Sequence, residues 1–187
     1  MKKRGKKEQI HNLPNLVSLI RIFIMVIILY IIFAGFNFLI IAIVFAIGAL
    51  TDALDGFFAR RFNQKTEFGR KFDMISDRIF MIPIVIGFII YLIINNSLTN
   101  IMLIELVLIM LREIITAPFF IISVVIKGNT IPPARRIAKA VTFFQGVSFV
   151  FIILSWPFEL GLAIITGVLG IISGVLYYFD FSNNYSK

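Results

Sequence analysis

The chain has 187 residues, of which 59% are hydrophobic and 15% charged, and it carries a net charge of +8. A soluble domain carries about a quarter charged residues, so this balance excludes an ordinary soluble fold. There is no cysteine and a single histidine, His11. That excludes disulfides, thiolate metal sites and histidine-rich metal centres.

The apolar residues come in long runs separated by short polar stretches. Crossing a bilayer takes about 20 mainly apolar residues, and six runs meet that requirement. The basic leader Met1–Lys7 precedes an apolar run too long for a signal core and lacking a small-residue cleavage site, so no cleavable signal is expected. The segment Asn12-Leu13-Pro14-Asn15 ends this leader. It is expected to lie along the membrane surface, with the proline setting a turn into the first span. Span one is expected over about Leu16–Phe33 and span two over about Phe38–Arg60. Span three follows over about Gly69–Ile94, and span four over about Leu98–Ile126. Spans five and six cover about Ala134–Leu154 and Phe158–Phe179. With no internal repeat, linker or second composition class, residues 1–187 read as one all-α, polytopic membrane domain.

Charge placement gives an orientation. The connections near Gly35–Asn37, Asn95–Asn100 and Trp156–Gly161 contain no lysine or arginine. The opposite side holds Lys2, Lys3, Arg4, Lys6 and Lys7, then Arg60, Arg61, Lys65, Arg70 and Lys71. Lys127, Arg135, Arg136, Lys139 and Lys187 complete that set. By the positive-inside rule both termini and the connections after spans two and four are cytoplasmic, in a multi-pass protein of the cell membrane. The cations then orient the chain and attract anionic headgroups or phosphate substrates, and nucleic acid is not an expected partner. The 21 phenylalanines read as core and lipid-facing residues, and Trp156 with Pro157 as an anchor at the outer interface.

Charged residues inside spans are costly and mark function by default. Asp52 and Asp55 lie near the cytoplasmic end of span two, and Asp73 and Asp77 near the start of span three. Spacings of three and four put each pair on one helix face, and the short connection between the spans lets the two acidic faces meet. Oxygen ligands without histidine or cysteine suit magnesium or manganese. Two such ions could clamp a diphosphate and stabilise its leaving oxygen. The alternative is that these carboxylates pair with Arg60, Arg61, Arg70 and Arg78 as interfacial salt bridges. Ala53, Gly56, Ala59 and Gly69 are small, which serves either close helix contact or clearance for a ligand.

The run Asp52-x2-Asp55-Gly56-x2-Ala59-Arg60-x8-Gly69-x3-Asp73-x3-Asp77 resembles the full signature of the CDP-alcohol phosphatidyltransferases, eight fixed positions over 26 residues. That resemblance implies six transmembrane helices around a cytoplasm-facing polar cavity. It implies two Mg2+ or Mn2+ ions on Asp52, Asp55, Asp73 and Asp77, with Asp77 also the base for the acceptor hydroxyl. Asp52, Gly56, Ala59, Arg60, Gly69 and Asp73 would line the CDP-diacylglycerol, or a related CDP-lipid, as donor.

Two further stretches resemble the phosphatidylglycerophosphate synthase and cardiolipin synthase branch. One is Asn12-Leu13-Pro14-Asn15-Leu16-Val17-Ser18-Leu19-Ile20-Arg21, with Ser18 where threonine is more usual; the other is Arg112-Glu113 in span four. The implied acceptor is glycerol 3-phosphate, held by Arg112, Arg136 and Lys139. An arginine fork suits a phosphate. The alternative for Arg112 is an ion pair within its own span, with Glu113 or Glu105. Pro132-Pro133-Ala134-Arg135-Arg136-Ile137-Ala138-Lys139 departs from the Gly-Lys-x-Lys-Thr stretch of that branch. Other acceptors therefore stay open: a second phospholipid as in cardiolipin synthesis, an inositol phosphate, or an archaeal ether-lipid pathway. Outside the family, membrane prenyl transfer and an ion-coupled carrier are the competing classes. Gly161, Gly167, Gly170 and Gly174 in span six suggest close helix packing, in a homodimer contact among other settings.

Overall fold

The computed structural model describes the backbone of residues 13–61, 67–122 and 136–185, and the side chains of 19–50, 80–122 and 137–182. Six helices account for nearly all of it: α1 Leu13–Phe33, α2 Phe38–Arg61, α3 Glu67–Ile94, α4 Asn100–Ile121, α5 Arg136–Leu154 and α6 Glu159–Tyr185. Two described stretches, Ile137–Leu154 and Glu159–Ser182, are long and apolar enough to cross a membrane, and Leu19–Phe33, Phe38–Leu50 and Phe80–Ile94 are shorter apolar helical segments. The outer surface is apolar as well: Phe23, Tyr30 and Phe143 are each about two-thirds exposed. So broad an apolar surface suits lipid as its solvent.

The three connections without cations close in one way. Gly35 has a positive φ of 71°, its N–H bonds Ile32 O at 3.1 Å, and Phe36 N–H bonds Ile31 O at 3.1 Å. Asn96 (φ 52°) and Ser155 (φ 48°) end α3 and α5 with the same pair of bonds, to Ile93 and Leu92 and to Ile152 and Phe151. This left-handed closure satisfies the last carbonyls of each helix at the membrane edge. The next helix then starts on a side-chain cap. Asn37 Oδ1 accepts from Leu39 N–H at 2.9 Å, and Thr99 Oγ1 accepts from Met102 N–H at 3.2 Å.

Helix ends differ from expectation where hydropathy alone set them. The start of α1 at Leu13 puts Pro14 in the first turn, where its missing N–H costs nothing. The sixth helix runs on to Tyr185, past the expected Phe179, because backbone hydrogen bonding continues after the apolar run has ended. Residues 123–135, where the end of span four and the start of span five were expected, lie outside the described residues.

α1 packs on both α2 and α3, α2 on α5, α5 on α6, and α4 most extensively on α6. The centre is aromatic. Phe45 of α2 stacks on Phe80 of α3 with centroids 5.7 Å apart, and meets Phe149 of α5 edge-on at 4.8 Å. Phe88 of α3 also meets Phe149 edge-on, at 5.7 Å. Each such pair contributes about 0.5–1.5 kcal/mol beyond its buried area.

Buried polar groups are tied across helices. Gln145 Nε2 of α5 donates to Ile109 O of α4 at 2.7 Å. Thr166 Oγ1 of α6 donates to Leu162 O at 2.8 Å, so the Ser148 hydroxyl of α5, 2.8 Å away, donates to Thr166. The glycines of α6 lie against α4 of the same chain. A Cβ on Gly167 would meet Leu108, on Gly170 Arg112, and on Gly174 Ile115, while at Gly161 nothing stands within 4 Å. The stripe over Gly167, Gly170 and Gly174 is thus an intrachain seam, which corrects the suggestion of a dimer contact there. Gly161 is no part of it.

Candidate active site

The eight signature positions, Asp52, Asp55, Gly56, Ala59, Arg60, Gly69, Asp73 and Asp77, all fall within α2 and α3. Their side chains lie outside the described residues, as do residues 62–66 and the side chain of Arg136. What the structure gives is the frame next to them. A Cβ on Gly48 would stand 2.6 Å from Phe80 Cζ and 3.0 Å from Ile24 Cγ2. Residues 24 of α1, 48 of α2 and 80 of α3 therefore share one level. One helical turn, about 5 Å, toward the α2–α3 connection places Asp52 and Asp77 at a second level. Asp55 and Asp73 are about one turn further on.

The level of Gly48 forms a floor. Phe80 lies across the space that a side chain at 48 would fill, and Phe45 stacks on Phe80 from below. Only a glycine at 48 lets the ring sit there. The floor is apolar and buried (Phe80 6%, Phe45 1% exposed), so the acidic levels border a dry core on one side. Electrostatic interactions there are stronger than in water. Among the described residues, no three histidine, cysteine, aspartate or glutamate side chains converge.

The expected acceptor residues come from α4 and α5, and the structure joins those helices at Arg112. Its Nη1 donates to Thr142 Oγ1 at 2.6 Å and to Ala138 O at 3.3 Å, and stands 3.6 Å from Glu113 Oε1. Thr142 in turn donates to Ala138 O at 3.1 Å. Ala138 precedes Lys139, which is exposed, and Arg136 opens the same helical turn. The Arg112 side chain is 15% exposed. Arg112 thus meets the first turns of α5 at Ala138 and Thr142, and Lys139 follows Ala138 on that helix with its side chain exposed. Of the two glutamates considered as partners of Arg112, the structure selects Glu113. Glu105 is wholly buried, and neither of its oxygens has a hydrogen-bond partner among the described residues.

One cation was passed over as a site residue, Arg21 of α1, which is 1% exposed. It opens a buried stripe whose other members are Met25, Ile28 and Ile32. The signal was available, since a lone arginine stands in the register of an apolar stripe inside a span.

Comparison with known proteins agrees with this frame. The family model for CDP-alcohol phosphatidyltransferase matches residues 11–177. The chain is 29% identical over 136 residues to a CDP-diacylglycerol–glycerol-3-phosphate 3-phosphatidyltransferase of Rickettsia felis, covering 72% of this chain and 70% of that one. It is 42% identical over 69 residues to the enzyme of that name from Aquifex aeolicus, covering 37% and 38% of the two chains. A Salmonella choleraesuis enzyme of the same name is 39% identical over 71 residues, or 36% and 38%. The match takes in α1 to α5 and most of α6, with both the acidic levels and the Arg112 junction inside it, and the chain belongs to the CDP-alcohol phosphatidyltransferase family, a family of membrane-bound enzymes.

Proposed function

We propose that the protein transfers the phosphatidyl group of CDP-diacylglycerol to sn-glycerol 3-phosphate, giving phosphatidylglycerophosphate and CMP in phospholipid synthesis. The observation that carries the acceptor is the junction of Arg112 with the first turn of α5, where a largely buried arginine meets the turn bearing Arg136 and Lys139. The printed names of the relatives support the same acceptor.

In this reading six helices span the membrane, both termini and the site face the cytoplasm, and residues 1–187 work as one domain in a homodimer. Asp52, Gly56, Ala59, Arg60, Gly69 and Asp73 line the donor's cytidine diphosphate. Asp77 accepts the proton of the glycerol hydroxyl as its oxygen attacks the phosphorus that carries the diacylglycerol. A new O–P bond forms there, the bond from that phosphorus to the bridging oxygen of the diphosphate breaks, and CMP leaves with that oxygen. Arg112, Arg136 and Lys139 hold the acceptor's phosphate and so orient the attacking hydroxyl.

The donor set fits a divalent metal. Its four candidate ligands are carboxylates on two adjacent helices, spaced to share a face, with no cysteine and no histidine on α2 or α3. Asp52, Asp55, Asp73 and Asp77 would hold Mg2+ or Mn2+, which when bound neutralises the diphosphate and the charge that develops on the leaving CMP.

The test is incubation of purified protein with CDP-diacylglycerol and a panel of alcohols, the lipid products being identified by mass. Phosphatidylglycerophosphate should form with stoichiometric CMP release, and glycerol or inositol should not replace glycerol 3-phosphate. Product from an uncharged alcohol or from phosphatidylglycerol alone would overturn the acceptor assignment.

A further inference from the structure

The end of the bundle away from the aspartates carries acid without base. Its turns, over 34–37, 95–99 and 155–158, hold no lysine or arginine, yet two glutamates follow them, Glu105 on α4 and Glu159 at the start of α6. The α4–α6 seam fixes their relative depth. Gly167, Gly170 and Gly174 lie against Leu108, Arg112 and Ile115, so the two helices run parallel and Glu159 stands about one turn outside Glu105. Glu159 shares a face of α6 with Ala163 and Thr166, which are 0% and 1% exposed. Glu105 is wholly buried, and side chains on a helix lean toward its N-terminus, which for α4 is the direction of Glu159. The Glu159 carboxylate is a charge that acts on Glu105.

Both oxygens of Glu105 and Oε2 of Glu159 are buried with no hydrogen-bond partner among the described residues. The arginine of α4, Arg112, is seven residues further in and stands beside Glu113. The dipole of α6 accounts for Glu159 in its first turn, but that effect fades within one turn and leaves Glu105, in the second turn of α4, unexplained. A proton on Glu105 would cover one oxygen and add an O–H that itself needs an acceptor. A divalent cation covers both oxygens and offsets both charges.

We infer that Glu105 and Glu159 form a calcium site that clips α4 to α6 at the end of the bundle opposite the aspartates. Calcium accepts bidentate carboxylates and completes its shell with water and backbone oxygens, whereas magnesium demands a strict octahedron. No third acidic or histidine side chain joins the pair among the described residues, so the expected dissociation constant is about 10⁻⁴–10⁻³ M, as in extracellular calcium modules. Glu159 is only half-buried at the helix start, which gives the ion its entry from solvent.

Thermal unfolding of the full chain in detergent tests this, with chelator and then with about 10 mM CaCl2, for wild type, Glu105→Gln and Glu159→Gln. Calcium held by the aspartates would shift all three proteins alike, so the difference between them reads this site. Calcium should raise the wild-type melting temperature by about 3–10 °C more than that of either variant. With chelator Glu105 has no counter-charge, and in that buffer an apolar residue in its place stabilises the chain. MgCl2 at the same concentration should give a smaller difference, and an equal one overturns the choice of calcium. A calcium shift in the variants equal to that of wild type overturns the site itself and leaves Glu159 a charge on the α6 dipole. Where Glu105→Gln does not fold, Glu159→Gln at the helix start carries the test, and a shift in it equal to wild type overturns the inference too.

Discussion

Gly170 of α6 lies directly on the backbone of Arg112 in α4: a Cβ built at Gly170 would stand 3.2 Å from the Arg112 amide nitrogen and 3.4 Å from its Cβ. In lipid no hydrophobic force joins helices, so contacts between backbones allowed by small residues do much of that work. The same contact sets the depth of Arg112, so the glycine seam of α6 and the proposed acceptor site share a support.

Gly170→Ala should therefore destabilise the chain, by about 1–3 kcal/mol, because a backbone atom cannot step aside as a side-chain tip can. Gly161→Ala, with no atom within 4 Å of its added methyl, should be neutral or stabilise by up to about 1 kcal/mol, since alanine restricts the unfolded chain. Thermal unfolding of the two variants in one detergent checks the contrast. Equal melting temperatures would mean that α6 does not rest on α4 in this register.

Arg112→Ala should raise KM for glycerol 3-phosphate by roughly ten- to hundredfold, matching about 1.5–3 kcal/mol of lost charge-assisted hydrogen bonding, with little change in KM for the lipid donor. Thr142→Val keeps shape and removes the hydroxyl that holds Nη1 at 2.6 Å. It should raise the same KM by a smaller factor, and Thr142→Ser should restore it. A fall in melting temperature with unchanged kinetics would make Arg112 a structural tie between α4 and α5.

Chelation should abolish activity, and Mg2+ or Mn2+ should restore it, because the donor set is carboxylate only. Asp52→Asn and Asp55→Asn each remove one ligand charge, so each should be inactive yet still insert and bind detergent normally. Near-normal turnover in either variant would remove that residue from the ligand set, and full activity in metal-free buffer would refute metal dependence.

Glu105→Leu should stabilise the protein. The carboxylate is wholly buried in α4 and its oxygens have no partner among the described residues. An unsatisfied buried polar group costs about 1–3 kcal/mol, and the leucine removes it at similar volume. A rise in melting temperature with unchanged KM values is the expected outcome. A fall would show that the carboxylate is held by a partner in the native state.

The sequence by itself determined the helical content and the placement of the acids. Apolar runs of fixed length separated by Gly-Phe-Asn or Asn-Asn-Ser stretches leave few choices to a chain that must satisfy its backbone inside lipid. Carboxylates spaced three and four apart reach one helix face whatever lies around them. Both results follow from geometry within one helix. Which helix meets which does not. Nothing local in Gly167, Gly170 and Gly174 distinguishes α4 of the same chain from a second subunit, and helix packing chose α4. Glu113 and Glu105 were both candidate partners of Arg112 along the sequence, and only the folded chain shows Glu113 at 3.6 Å, with Thr142 and Ala138 of α5 on the same Nη1. Arg21 shows the limit most plainly. Its position in a stripe is a property of α1, but its depth beside Asp52 and Asp77 exists only because Gly48 admits both Phe80 and Ile24. Periodicity is set by backbone bonds a few residues apart, whereas register between helices is set by the shapes of side chains far apart in the chain.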